Sequence, residues 1–301
     1  MTTKRSELWT KITESLFSKI DDQFIKNFRS PGGANSRLAA WDPYDKSMRY
    51  YKFLLFNISR NKDITFFDSY KKIGNTNIGN PIIVKVNDCD IDIDYLFSIE
   101  EYIFLTKHLD SKMIRNVVEI GAGFGRTCHA LLNLIESIDE YVIIDLPEII
   151  KLSSTYLKKV IPNHFHKIKF VENTNEELIK TLKPDLVINV DSFQEMPVDV
   201  IDNYIKILVL NSNFFYTKNP IGKYNPLNVG LPDLKPEQLL DVYNLGFCQD
   251  VYDIFDENVL KIGREKYCEL YRPDISWKII AEEPVEIFPY LHNVLYMKSN
   301  I

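Results

Sequence analysis

The chain has 301 residues, 45% of them hydrophobic and 26% charged, enough to bury the core of one large domain or two small ones. A formal charge of -6 speaks against a protein built to neutralise nucleic-acid phosphates, so no nucleic-acid partner is expected. MTTKRSELWTKI lacks the apolar run of a signal peptide, and no segment reaches the about 18 apolar residues of a membrane span, so a cytoplasmic chain without a transmembrane segment is expected. In chain order, Leu8, Ile12, Leu16, Phe17, Ile20, Phe24 and Phe28 recur at helical spacing, until Pro31, Gly32 and Gly33 break the pattern. A second helix is expected over 46–59, GNTNIGNP (74–81) reads as a loop, and PIIVKVNDCDIDIDYL alternates like a short hairpin. Residues 96–109 return to helix.

From about 113 the texture changes. Apolar strands are expected at 117–120, 141–145, 167–173, 185–190 and 213–219, with helices over 126–137, 147–160 and 198–209. Such alternation implies right-handed crossovers and a parallel sheet. SWKIIAEEP and HNVLYMK follow as two strands with no helix between them, an antiparallel hairpin on the sheet edge. Residues 246–274 carry no assignable pattern. The division expected is a mainly helical N-terminal cap over 1–112, covering the acceptor site, and an α/β domain over 113–301 with a doubly wound, mostly parallel sheet.

The motif that carries chemistry is VVEIGAGFGRT, where Gly121, Gly123 and Gly125 alternate between a strand and a helix. A dinucleotide-binding turn reads GxGxxG, but here Arg126 stands where its third glycine belongs. No GK[ST] follows, which excludes a P-loop. Glu119 fits poorly beside a pyrophosphate and well beside a positively charged ligand. Asp145 ends the second strand, 24 residues after Gly121, where a carboxylate can accept two hydrogen bonds from a vicinal diol. The bland readings are a mere tight turn, an N-cap role for Asp145 and a backbone partner for Glu119.

ExGxGxG closing a first strand resembles motif I of the class I S-adenosylmethionine-dependent methyltransferases. The resemblance implies a seven-stranded sheet and S-adenosyl-L-methionine as cofactor. It implies Gly121, Ala122 and Gly123 against the methionine part, and Asp145 with Leu146 at the ribose. Glu119 and Asp191 belong to the same cofactor set, and Glu172 and Asn173, ending the third strand, are positioned for the adenine edge. SRLAAWDP (36–43), IGNP (78–81), EIGAGFG (119–125), IIDLPE (143–148), NVDSFQEM (189–196) and FFYTKNP (214–220) further resemble bacterial sugar O-methyltransferases. That resemblance implies a saccharide, nucleotide-sugar or glycan acceptor in surface-glycan synthesis. A non-sugar alcohol or phenol acceptor, or a non-catalytic partner in a glycan-synthesis complex, are the rivals; a homo-oligomer is compatible with either.

Methyl transfer is an in-line displacement that needs the acceptor oxygen about 3 Å from the methyl carbon, and a base for its proton. Ligands in open α/β sheets bind beyond the carboxyl ends of the strands. DSFQEM after the fourth strand offers Glu195 as first choice of base and Asp191 as second. Together they are alternatively oxygen ligands of a divalent metal, and either Asp191 or Ser192 is alternatively a helix cap. Lys218 and Asn219, after the fifth strand, are placed to orient a sugar or phosphate, with a solvated lysine as the bland alternative. Trp41, Tyr44, Tyr102 and Phe193 are candidates to stack on a pyranose, Trp41 first. Cys89, Cys128, Cys248 and Cys268 lack CxxC spacing. None of the five histidines pairs with carboxylates as HxxxH or HxH, so no zinc or iron site is suggested.

Overall fold

The computed structural model describes residues 11, 13–15, 20–27, 47–229 and 242–299. They fall into two compact units, one drawn from Met1–Asn61 and Ile82–Asp90, the other from Lys62–Pro81 and Ile91–Ile301. α1 (Asp22–Asn27) and α2 (Ser47–Arg60) belong to the first, and α2 matches the helix expected over 46–59. Most of the expected helix over 1–30, and the segment holding Trp41 and Tyr44, lie outside the described residues.

α3 (Ile64–Ile73) was not announced by periodicity. Asp63 starts it, its carboxylate accepting from the Phe66 N–H at 3.0 Å. β1 (Val84–Val86) and β2 (Cys89–Ile91) form the expected hairpin, turned by Asn87 and Asp88 at φ 48° and 60°, the left-handed pair that a two-residue loop needs. α4 (Ile93–His108) is capped by Asp92, which accepts from the Tyr95 N–H at 3.1 Å and from the Tyr70 hydroxyl at 2.8 Å. α3 and α4 pack with the first helix after β3, so the larger unit reaches further toward the N-terminus than a boundary at 112/113.

The alternation then runs β3 (Asn116–Ile120), α5 (Arg126–Leu134), β4 (Glu140–Asp145), α6 (Pro147–Val160), β5 (Ile168–Glu172), α7 (Glu176–Ile179), β6 (Leu186–Val190), α8 (Val198–Ile207) and β7 (Phe214–Pro220). β8 (Lys223–Tyr224) and β9 (Val251–Tyr252) make a small parallel pair, and α9 (Glu257–Leu270) fills the stretch without a readable pattern. β10 (Trp277–Pro284) and β11 (Leu291–Lys298) complete the chain. The main sheet is ordered β10, β11, β7, β6, β3, β4, β5. Its inner pairs are parallel; β11 is antiparallel to β7 and to β10, and the register slips between Ile279 and Ala281. This is the doubly wound, mostly parallel seven-stranded sheet of the expected class, with the hairpin on its edge.

Both faces are buried, so the strands read as continuous apolar runs whose residues divide by parity. Val117, Tyr141, Ile143, Leu186, Ile188 and Tyr216 pack beneath α4, α5 and α6. Val118, Val142, Ile144, Val187 and Phe215 pack against α7, α8 and α9. β3 has β4 on one side and β6 on the other, so the connections leaving β3 and β6 diverge and open a crevice at their carboxyl ends. No helix among the described residues is long and apolar enough to cross a membrane.

Candidate active site

A cleft of about 560 Å³ occupies that crevice. The glycine loop forms one wall. Gly121 and Gly123 take φ of 73° and 57°, which side-chain-bearing residues rarely adopt. A Cβ on Gly121 would lie 2.2 Å from the Ser192 Oγ, whereas one on Gly123 would meet nothing within 4 Å. The first glycine therefore lets the loop close on the segment after β6, and the second leaves bare backbone facing open space. The Gly121 N–H donates to the Ile144 carbonyl at 2.8 Å, which ties the loop to β4.

Asp145 ends β4 and lines the cleft. It is not the N-cap of α6, a position held by Leu146. Its carboxylate accepts from the Gly123 N–H at 3.0 Å and from the Leu146 N–H at 2.8 Å, and burial holds its pKa above the ordinary value. Beyond it, Leu146 and Val200, both exposed apolar side chains, form an apolar half with Ile149, Met196 and Tyr204. Burial and then the Asp145 charge push the Tyr204 phenol up to about 12. Asn173 lines the same end, its N–H donating to the Asp145 carbonyl at 3.0 Å.

The opposite, polar end comes from DSFQEM. Asn189 of β6 donates to the Ile120 carbonyl at 3.0 Å and to the Ser192 Oγ at 2.6 Å, and Ser192 donates to the same carbonyl at 3.1 Å. These bonds stitch β6 to β3 under the cleft floor. Asp191 and Glu195 both line the cleft. Asp191 sits at φ 53°, with its N–H bonded to the Lys218 carbonyl at 2.8 Å and its carboxylate accepting from the Gln194 amide at 2.6 Å. Burial raises its pKa, against the opposing pull of Lys218 and Arg126.

Other expected site residues lie elsewhere. Lys218 shares the parity of Tyr216 and turns under α4, not toward the rim; it is 3% exposed and its ammonium pairs with Glu101 over the Phe97 ring. Asn219 faces α9 instead, fully buried, its amide donating to the Asn189 Oδ1 and the Thr217 Oγ1, each at 2.8 Å. Neither side chain is free to orient an acceptor, and Lys218 is not solvated. Glu119 faces the α4–α5 layer, away from the cleft, and accepts from the Tyr141 hydroxyl at 2.8 Å. Burial raises its carboxyl to about 7. Ala122 points into the core, and Glu172 is exposed at the end of β5. Phe193 is core, stacked between Tyr204 and Tyr271, and Tyr102 packs partly buried on the α4 side. His129 is buried beside the Tyr95 hydroxyl, 2.5 Å from its Nδ1, and burial lowers its pKa to about 4.

Sequence reasoning missed Glu101. This residue of α4 is 1% exposed and binds Arg126 through two bonds of 3.0 and 2.9 Å, Thr127 at 3.1 Å, and Lys218. Arg126, the residue in the place of a third dinucleotide-fold glycine, also donates to the Ser98 Oγ at 2.9 Å. One carboxylate thus holds two cations, Lys218 buried and Arg126 partly so, near enough for both charges to act on Asp191. The only signal was a pair of adjacent acids, Glu100 and Glu101, on an apolar helix.

No family model matches the sequence, and no curated protein sequence matches it significantly. Solved structures do match. The mitomycin 7-O-methyltransferase MmcR is similar at 11% identity and a TM-score of 0.45 over 67% of this chain and 56% of that one. PigF with SAH is similar at 13% identity and a TM-score of 0.40, over 68% of this chain and 58% of that one. The O-methyltransferase TomG from Streptomyces achromogenes, in complex with SAM, is similar at 11% identity and a TM-score of 0.42 over 84% and 99%. The chain spans little more than half the length of the first two.

Proposed function

We propose that the chain binds S-adenosylmethionine in the cleft and transfers its methyl group to a hydroxyl oxygen of a saccharide, nucleotide-sugar or glycan. The observation that carries the cofactor half is the bare backbone at Gly123, open to the cleft and braced by the Asp145 carboxylate at the switch point of the sheet. The residues present fit the cofactor: a diol acceptor at Asp145, an apolar slot between Leu146 and Val200 for a flat ring, and the Asn173 amide at its end. When bound, S-adenosylmethionine supplies an electrophilic methyl group on a positively charged sulfur. The backbone of Gly121 and Gly123 and the carboxylate of Asp145 hold it; Ile149 and Met196 exclude water from the slot.

Of the two candidate bases, Asp191 is the better placed. Both carboxylates are exposed to the cleft, but that of Asp191 has its pKa raised by partial burial and so takes up the hydroxyl proton more readily, while the Lys218 and Arg126 charges on Glu101 favour its ionised form until it does. Glu195 is the second candidate, at the exposed rim. The saccharide acceptor rests on the resemblance carried by SRLAAWDP through FFYTKNP, and Trp41, within it, is the stacking residue proposed for the pyranose. Calorimetry tests the cofactor half: S-adenosylmethionine and S-adenosylhomocysteine bind, and NAD does not. A response to NAD alone sinks the reading. Transfer of labelled methyl to phenols but not to nucleotide-sugars refutes the acceptor half only.

A further inference from the structure

On the face of the sheet covered by α9, three side chains of different chemistry converge. Cys268 of α9, Glu282 of β10 and His292 of β11 each offer one donor atom, and these atoms lie within 4.8 Å of one another. Among the described residues no other group of three His, Cys, Asp or Glu side chains does so, and none of the three lines the cleft. The strand register brings two of them together. Glu282 pairs with Val294 and His292 with Pro284, which makes Glu282 and His292 diagonal neighbours on one face. The helix supplies the third: Cys268 is on its buried side with Leu260 and Tyr267, and its carbonyl accepts from the Tyr296 hydroxyl at 2.8 Å.

His292 is fully buried, its Nε2 lies 2.6 Å from the Glu282 Oε2, an ion pair when the ring is protonated, and its Nδ1 has no hydrogen-bond partner. With the ring neutral, a ring nitrogen and a carboxylate oxygen held this close, with a free thiol beside them, are arranged as donors to one cation.

We propose that Cys268, Glu282 and His292 bind a zinc ion. Sulfur, nitrogen and a single carboxylate oxygen suit Zn²⁺, whereas Mg²⁺ and Ca²⁺ take oxygen ligands. Thiolate and carboxylate together balance the double positive charge, and the thiol proton leaves to solvent as the ion binds. Zinc–ligand bonds of about 2.0–2.3 Å set tetrahedral donors roughly 3.3–3.8 Å apart, within reach of small side-chain rotations from the present spacing. The half-exposed Glu282 gives the ion a route in, and a water completes the fourth position, as in three-ligand zinc sites generally. Bound there, the ion ties α9 to the β10–β11 hairpin.

The test uses the full chain, free of any affinity tag, stripped with a chelator and reloaded. One Zn²⁺ per chain survives gel filtration, zinc raises the thermal midpoint, and the Co²⁺ form shows thiolate-to-cobalt charge-transfer absorption in the near ultraviolet. C268S abolishes that absorption. E282Q, a change at a half-exposed side chain that leaves the fold intact, weakens zinc binding by more than about tenfold. A Co²⁺ form without charge-transfer absorption, or a zinc stoichiometry and affinity unchanged in both variants, overturns the assignment.

Discussion

Glu101→Gln is the substitution with the largest expected effect on stability. The carboxylate is 1% exposed and takes both Arg126 guanidinium nitrogens, the Thr127 hydroxyl and the Lys218 ammonium. Glutamine keeps the volume but removes the one carboxylate that, among the described residues, is bonded to both cations, and turns an N–H₂ toward one of them. Breaking a buried ion pair on one side costs about 3–5 kcal/mol, because the remaining charge is left uncompensated in a medium that cannot solvate it. With two cations on one anion, the upper part of that range applies. For a unit of this size, about 4–5 kcal/mol corresponds to a fall in thermal midpoint of roughly 8–20 °C. Urea unfolding followed by near-ultraviolet circular dichroism measures the loss. E101Q/K218M, in which one orphaned cation is also removed, should recover about 1 kcal/mol or more of it. If E101Q stays within about 1 kcal/mol of the parent protein, the network is solvated and the reasoning fails.

Asp145→Ala should weaken S-adenosylhomocysteine binding by roughly ten- to a hundred-fold, the worth of a charge-assisted contact, with the fold retained by circular dichroism; unchanged affinity in calorimetry removes Asp145 from the ribose role. Glu119 gives a pH dependence. Its folded pKa of about 7 lies above the ordinary 4.5, so its contribution is fully present below pH 4.5 and is lost as pH rises through 7, by about 3 kcal/mol. Glu119→Gln should therefore flatten the fall in urea midpoint between pH 5 and 8, and an identical slope in both proteins contradicts the assignment. Asp191→Asn should lower kcat by roughly 10²–10⁴-fold with cofactor affinity kept, and Glu195→Gln by less than tenfold or so; the reverse order makes Glu195 the base.

What the residues announced and what they hid differ in kind. Strands buried on both faces, such as VVEI and LVINV, stand out as apolar runs against helical spacing, so the order of elements was readable. The glycine turn was readable because three alternate glycines have few other uses. α9 was not, because Gly263 interrupts it; a Cβ there would press on the Ile221 Cδ1 at 2.8 Å, so packing rather than propensity placed that glycine. α3 hid because its ITFFDSYKKI is too short for a clear period. Lys218 and Asn219 were placed at the correct strand end, but position along a strand does not say which face a residue takes. That depends on parity relative to buried neighbours, and it sends one under α4 and the other under α9. Cys268 and His292 are 24 residues apart on a helix and a strand, so no local spacing could join them.

The register slip in β10 has a consequence for how copies of the chain behave in a crowded solution. β10 is paired on one side only within the sheet, and an outer strand left straight is a template for another chain. Here the irregularity between Ile279 and Ala281 bends it, exposed Lys278 and Glu283 put charge along it, and Pro284 removes a donor at its end. Straightening this strand, by deleting the extra residue and replacing Glu283 and Pro284 with valine, would leave the cleft untouched and favour assembly of copies edge to edge through their sheets.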